Sequence, residues 1–339
     1  MIDADFQQLI NIRLHDFFSQ KTAAVKNWDP RLTKLIGQIQ DLTLRQGDRL
    51  RPFMCSLGYQ VLGLRQLEPI MPVLLSLELF HSYALIHDDI MDQAQERRGK
   101  LTINAYFTQN LRKDHLASSL SLLSGDLCAG WAHELLHQLP QNEAGSQLKE
   151  IFSRMEEDVM WGQVLDAWGM QEKTEEELIR MYEAKSGSYS IQKPLLMGAI
   201  LGDAKNTELA ILSDFGRLAG LAFQLQDDLL GVFGSTIKTG KSNTADIIQG
   251  KWTFLIAFTW EKLLLRERGR LRQILGISEA ASEDVEWVKE QIITTGAKMK
   301  VETWSRRLID EAKLLIAKSS WANQQEFVNL ADFIINRTF

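Results

Sequence analysis

The sequence predicts an all-α fold, a single domain of long helices spanning residues 1–339, on three observations. Six prolines in 339 residues, none of them between 73 and 139 or after 194, leave long stretches free to be helical. A proline inside a helix costs roughly 3 kcal/mol, so its absence is permissive. Nearly every long segment repeats apolar residues at the i, i+3, i+4 spacing of an amphipathic helix. No run has the period-2, β-branched character of a strand, and no two-residue hairpin signal stands out.

The elements follow in order. Phe6, Ile10, Leu14 and Phe17 make one stripe, and Leu32, Leu35, Ile36, Ile39 and Leu42 make the next. A third helix opens near Arg51-Pro52, with proline in the first turn, where its missing N–H is harmless. Met71 to about Met91 is apolar on most faces, as a central buried helix should be. Further helices are expected over Ser118–Leu139, Leu148–Met170, Glu175–Leu201, Asn206–Val232 and Lys251–Arg268, with C-terminal helices from Glu283 to Ile335. Gln93–Thr102, Gly234–Asn243 and Gly276–Ser282 are the loops of note, and no Pro-, Gly- or Ser-rich linker divides the chain.

An apolar content of 45% supports a sizeable core, and a net charge of −6 argues against a general nucleic-acid binder. Cys55 and Cys128 sit in apolar segments without metal-ligand spacing, which suits small buried hydrophobes in a reducing compartment. The acidic, mixed N-terminus resembles neither a signal nor a transit peptide. The most apolar stretches are interrupted short of the ~20 residues of a membrane span. A soluble cytoplasmic protein is the expectation.

The chemistry concentrates in two aspartate pairs, Asp88-Asp89 in LIHDDIMD and Asp227-Asp228 in FQLQDDLLG. Each closes a helical stretch and is trailed by cations: Arg97, Arg98 and Lys100 after the first, Lys238, Lys241 and Lys251 after the second. Asp88 and Asp92, four apart, project from one helix face with Cβ atoms ~5–6 Å apart. Two such carboxylates can grip Mg²⁺ and leave most octahedral positions to water and phosphate oxygens. Asp89 points elsewhere and supports. Gln224, Asp227 and Asp228 can share a face, and Gly231 stands where a third carboxylate would. One such cluster could be a solvated acidic helix end; two, each followed by cations, point to a multiply charged anion held through metal, with diphosphate the leading candidate.

These residues, with RRGKLT, KTGKS, ADIIQGKWT, DRLRP, LSGDL, GQVLD, AKSGSYSIQKPLLMGA and LADFIINR, resemble the trans-isoprenyl diphosphate synthases (polyprenyl synthetases) over roughly residues 40–339. The resemblance implies the type I isoprenoid synthase fold, helices around a deep central cavity, and an Mg²⁺-dependent condensation of an allylic diphosphate with isopentenyl diphosphate. It implies three Mg²⁺ ions on the allylic diphosphate, two held by Asp88 and Asp92 and one by Asp227. Arg97, Lys185, Ser186, Gln224, Lys241 and Lys251 would contact that substrate. Arg51, His81 and Arg98 would hold isopentenyl diphosphate without metal. Of these, Asp88, Asp92, Arg97, Lys185, Asp227 and Lys241 are the expected catalytic set. A homodimer is implied in the same way, with apolar faces around 118–139 available for it.

One departure stands out. Where the family reads GGKRLRP this chain reads QGDRLRP, so Asp48 replaces a diphosphate-binding lysine. Either Arg49 or a neighbouring cation compensates, or isopentenyl diphosphate binds weakly. Product length should be set by Tyr83 and Ala84, upstream of Asp88, with Phe80 narrowing the tunnel further. Five residues up a helix is ~7.5 Å, deep enough to pass a few isoprene units. By the resemblance, a single aromatic there with no insertion inside DDIMD looks like a product of fifteen to twenty carbons, geranylgeranyl diphosphate first and farnesyl next. A longer-chain polyprenyl synthase, a regulatory subunit and a terpene cyclase are the competing readings; Arg51, Arg97 and Arg98 supply a second diphosphate site that the last lacks. Lys100, Lys113 and Lys238 read as solvated charges, and Arg337 as either a frayed end or a basic tail over the cavity.

Overall fold

A computed structural model describes residues 2–45, 47–168, 172–234, 245–277 and 280–337. It is 80% helical with 1% strand. The helices are α1 (Ala4–Val25), α2 (Pro30–Leu44), α3 (Leu50–Tyr59), α4 (Met71–Met91), α5 (Ile103–Leu111), α6 (Asp114–Leu136), α7 (Glu143–Ala167), α8 (Glu175–Tyr182), α9 (Lys193–Leu201), α10 (Asn206–Phe233), α11 (Ala245–Ile248), α12 (Phe254–Lys262), α13 (Leu265–Ile274), α14 (Ser282–Thr294), α15 (Ala297–Ala317) and α16 (Gln324–Asn336).

Local chemistry sets many of their starts. Asp29 caps α2 ahead of Pro30, and Asn142 accepts the Gly145 N–H at the start of α7. Thr174 and Glu177 form a capping box on α8. The core falls into two apolar clusters. One gathers α1, α2 and α4–α7 around Phe80 and Phe152; the other gathers α10 and α12–α16 around Phe215, Phe254 and Phe327. Helix α4, packed along α6, is buried on nearly all sides. With its lead-in, Glu68–Met91 is long and apolar enough to cross a membrane by composition, yet 67% of that window is buried inside the fold. Both cysteines are buried and unpaired.

Three expectations need correction. Glu175–Leu201 is helical throughout, but Glu183–Gln192 between α8 and α9 is a π-helix. Two glycines let its wide turns approach their neighbours: a Cβ on Gly162 of α7 would lie 2.6 Å from the Lys185 backbone nitrogen, and one on Gly220 of α10 would lie 2.6 Å from Gly187 O. Lys251–Arg268 is broken by extended backbone at Leu263 and Leu264, giving α12 and α13. The loop after α4 contains a two-residue antiparallel ladder, β1 (Glu96–Arg97) with β2 (Lys100–Leu101), turned by Arg98 and Gly99 at φ +54° and +72°. Strands this short show no alternation in sequence, but the glycine was the available signal.

Candidate active site

The end of α4, the hairpin, α7, the π-helix and α10 converge on a cavity of about 420 Å³. Of the residues singled out in the sequence, Arg51, His81, Tyr83, Ala84, Asp88, Arg97, Lys185 and Asp227 line it. The rest of the wall is largely apolar, with Leu85, Met91, Val159, Met160, Val164 and Ala167.

Each carboxylate of the first cluster lies beside a cation, some of them shared. Lys185 Nζ donates to Asp166 Oδ2 at 2.5 Å and lies 3.7 Å from Asp88 Oδ1. Arg97 reaches Asp88 Oδ2 at 3.3 Å while its Nε donates to Asp89 Oδ1 at 2.7 Å. Asp89 is buried, so it does point away from the cavity and anchors Arg97. Asp92 caps α4, and its carboxylate lies 3.7 Å from Lys251 Nζ. Burial and the neighbouring Asp88 raise the Asp92 pKa above the usual carboxylate range. Burial opposes the Lys251 charge, but Asp246, Asp92 and Asp88 outweigh it and raise its pKa.

The second cluster does not keep its three polar groups on one face. Asp228 turns into the core, where it accepts from the Tyr182 hydroxyl and, at 3.2 Å, from Gln224 Nε2. Burial raises its pKa well above the carboxylate range. Gln224 therefore serves Asp228, and Asp227 alone faces the cavity. Arg337 donates to Asp227 at 2.8 Å and stacks on Phe223, 4.3 Å from its centroid. Arg337 thus lies over α10, as the basic-tail reading expects.

A third group gathers around Tyr189. Its hydroxyl bonds His81 Nδ1 at 2.6 Å, and the Arg51 guanidinium stacks on its ring at 4.1 Å while donating to Ser190 Oγ at 2.9 Å. Arg51 Nε is buried without a hydrogen-bond partner among the described residues. Burial, with Arg51 and Arg98 beside it, pushes the His81 imidazole well below its usual 6.5. Arg98, exposed on the hairpin turn, donates to Arg45 O at 3.2 Å. Asp48 is half-buried in the adjoining loop. Arg49 cannot compensate for it: its guanidinium is paired with Glu78 and donates to Asn11 Oδ1 at 2.9 Å, the Arg49 and Glu78 side chains each being 3% exposed.

At the apolar end, Tyr83 and Ala84 reach the cavity, while Phe80 is fully buried behind Tyr83, ring centroids 5.3 Å apart. Phe80 therefore buttresses the wall rather than forming it. His87, which sequence reasoning passed over, meets Tyr83 edge to face with ring centroids 4.7 Å apart and bonds Leu122 O at 3.2 Å. Tyr189 and Asp166 were missed as well; their stretches were noticed, but nothing local marks their contacts. Lys100 is 59% exposed on Asp41, and Lys113 is exposed, as solvated charges should be. Lys241, Lys238 and the Ser186 side chain lie outside the described residues.

Among the described residues no three His, Cys, Asp or Glu side chains converge closely enough to hold a bare metal ion. That donor set suits Mg²⁺, which keeps several waters and takes one or two protein carboxylates plus substrate phosphate oxygens. Lys185, Lys251 and Arg337 meanwhile supply positive charge to the same carboxylates.

The polyprenyl synthetase family profile matches residues 33–292. The chain belongs to the polyprenyl synthetase family. It is a prenyltransferase of the isoprenyl diphosphate synthase class. A short chain isoprenyl diphosphate synthase from Methanocaldococcus jannaschii is 30% identical over 262 residues, 77% of either chain. A geranylgeranyl diphosphate synthase from Methanosarcina mazei is 29% identical over 298 residues, 86% of either chain. Among solved structures, this polyprenyl synthetase is similar to geranylgeranyl pyrophosphate synthase from Corynebacterium glutamicum, complexed with isoprenyl diphosphate and magnesium. There the TM-score is 0.93 at 27% identity, covering 99% of each chain.

Proposed function

We propose that this chain condenses an allylic diphosphate with isopentenyl diphosphate, head to tail, to a short trans-prenyl diphosphate, with geranylgeranyl diphosphate as the main product. The observation that carries this is the cavity itself: carboxylates from α4 and α10 share it with Arg97 and Lys185, and Tyr83 lines it together with a largely apolar wall.

Asp88, Asp92 and Asp227 would hold Mg²⁺, three ions in all, and bound Mg²⁺ would neutralise the charge that builds on the departing diphosphate. Arg97, Lys185 and Lys251 add charge to the same place, and each is already oriented by a carboxylate. Arg51, with an unmet buried donor, and neutral His81 form the second diphosphate's bed with Arg98. Val159, Met160 and Val164 keep water and nucleophiles from the allylic cation. The released diphosphate accepts the proton lost from the new chain, so no dedicated side-chain base is required. Lys241 and Ser186 are assigned to the allylic diphosphate by family pattern alone.

The whole chain acts as one catalytic unit in the cytoplasm, and we assign it as a homodimer. Leu116, Leu123 and Leu127 of α6, Trp161 of α7 and Trp168 just beyond it are all exposed, more apolar side chain than a monomer ordinarily leaves to water.

The test is purified protein with Mg²⁺, isopentenyl diphosphate and each allylic primer in turn, products sized by chromatography. A twenty-carbon diphosphate is expected; no product with any primer would overturn the assignment. Asp48, with Arg49 locked away, favours a second reading in which the chain condenses slowly because isopentenyl diphosphate binds weakly. Under that reading Asp48→Lys lowers the KM for isopentenyl diphosphate about tenfold, roughly 1.4 kcal/mol. An unchanged KM would remove it.

A further inference from the structure

Between α12 and α13 the chain turns a corner on extended backbone at Leu263 (ψ 145°) and Leu264 (ψ 159°). Leu263 is buried inside the corner, whereas Leu264 is 72% and Leu265 88% exposed. The fold does not ask for leucine at either place. Leu264 is the N-cap of α13, where Ser, Thr, Asp or Asn is favoured. Single exposed leucines are ordinary, but two in succession at a protruding corner are not. Their surroundings are basic: of the seven charged residues from Glu261 to Arg272, five are Lys or Arg, in a chain of net charge −6. Lys262 and Arg266 flank the leucines and are exposed. Arg268 donates to Leu263 O at 3.1 Å and Glu261 O at 3.2 Å, which pins the corner, and lies 5.3 Å from the Trp260 ring. Of the two acids, Glu267 is occupied in accepting the Leu264 N–H at 2.8 Å. Arg270 and Arg272, further along, pair with Asp284 and Glu172. No residue of this segment lines the cavity.

We propose that this corner docks the protein on an anionic lipid bilayer. Leu264 and Leu265 enter the margin of the acyl chains while Lys262, Arg266 and Arg268 meet lipid phosphates. Lys and Arg can do both jobs at such a boundary, laying their methylenes on apolar surface and their charges in the headgroups. A bilayer fits the patch better than a protein partner does. A specific protein interface buries about 800 Å² a side, far more than two leucines offer. A bilayer needs no complementary groove, and a small apolar tip joined to a few cations gives it reversible, charge-dependent attachment. This goes beyond the condensation reading. Where that reading holds, docking releases a long-chain prenyl diphosphate beside the phase in which its tail dissolves.

The experiment is co-sedimentation of the full chain with vesicles, at low and at high salt. One set is phosphatidylcholine alone; the other is phosphatidylcholine mixed equally with phosphatidylglycerol. Wild type is expected on the anionic vesicles at low salt, and in the supernatant with neutral vesicles or at high salt. Leu264→Ser/Leu265→Ser and Lys262→Gln/Arg266→Gln should each weaken partitioning about tenfold. Both should keep the parent's circular dichroism and its initial rate without vesicles. Wild type that stays in solution with anionic vesicles would overturn the proposal. So would a leucine variant that binds as tightly as wild type, since attraction to any polyanion would then suffice. The vesicle measurement uses no substrate, so a chain that makes no prenyl diphosphate would remove the condensation reading and leave this result standing.

Discussion

Single residues divide into those that meet the cavity and those that hold others there. Tyr83 is of the first kind, lining the cavity with His87 edge to face against it. Tyr83→Ala should open that end and shift products to longer chains, seen by sizing the dephosphorylated alcohols; an unchanged distribution would mean that another group stops elongation. Arg49 is of the second kind. Replacing it by alanine leaves the Glu78 carboxylate buried without its partner, so about 3–5 kcal/mol of stability should be lost in denaturant unfolding. Much of this was legible in sequence, because paired aspartates and trailing cations lie close together along the chain. The fate of Arg49 was not, since its partners Asn11 and Glu78 come from distant helices. Asp228 was misplaced for a similar reason: its partner Tyr182, and the Phe254 ring that packs on Tyr182, are remote in sequence.

At the scale of elements, apolar periodicity located the helices but could not tell 3.6 residues per turn from a wider coil. The π-helix over Glu183–Gln192 presents Lys185 to Asp88 and Tyr189 to His81. It packs closely against Gly162 and Gly220, contacts that no local pattern announces. Such segments favour functional sites. Deleting Ser188 should let an α-helix re-form and turn Lys185 by about 100° relative to α9. The expected cost is about a hundredfold in kcat, as for other misplaced groups, measured as initial rate at saturating substrates. A variant of undiminished rate would show that the wide coil is incidental. The hairpin was missed because two paired residues per strand carry no period.

For the molecule as a whole, the exposed apolar side chains of α6 and α7 are where the proposed subunit contact is tested. The double variant Leu123→Glu/Trp161→Glu should run in sedimentation as a monomer, the parent at twice its mass; identical behaviour would place the subunit contact elsewhere or nowhere. The sequence pointed to the region around 118–139, yet only the fold separates the exposed Leu123 and Leu127 from the buried Cys128 and Leu135. The pairing of cavity carboxylates with Lys185, Arg97, Lys251 and Arg337 has a kinetic consequence. Opposite charges that cancel within a few ångströms project little field beyond the Debye length, and the chain's net charge of −6 repels anions. Substrate encounter should therefore gain nothing from electrostatic steering, and its association rate should rise rather than fall as salt screens the net charge.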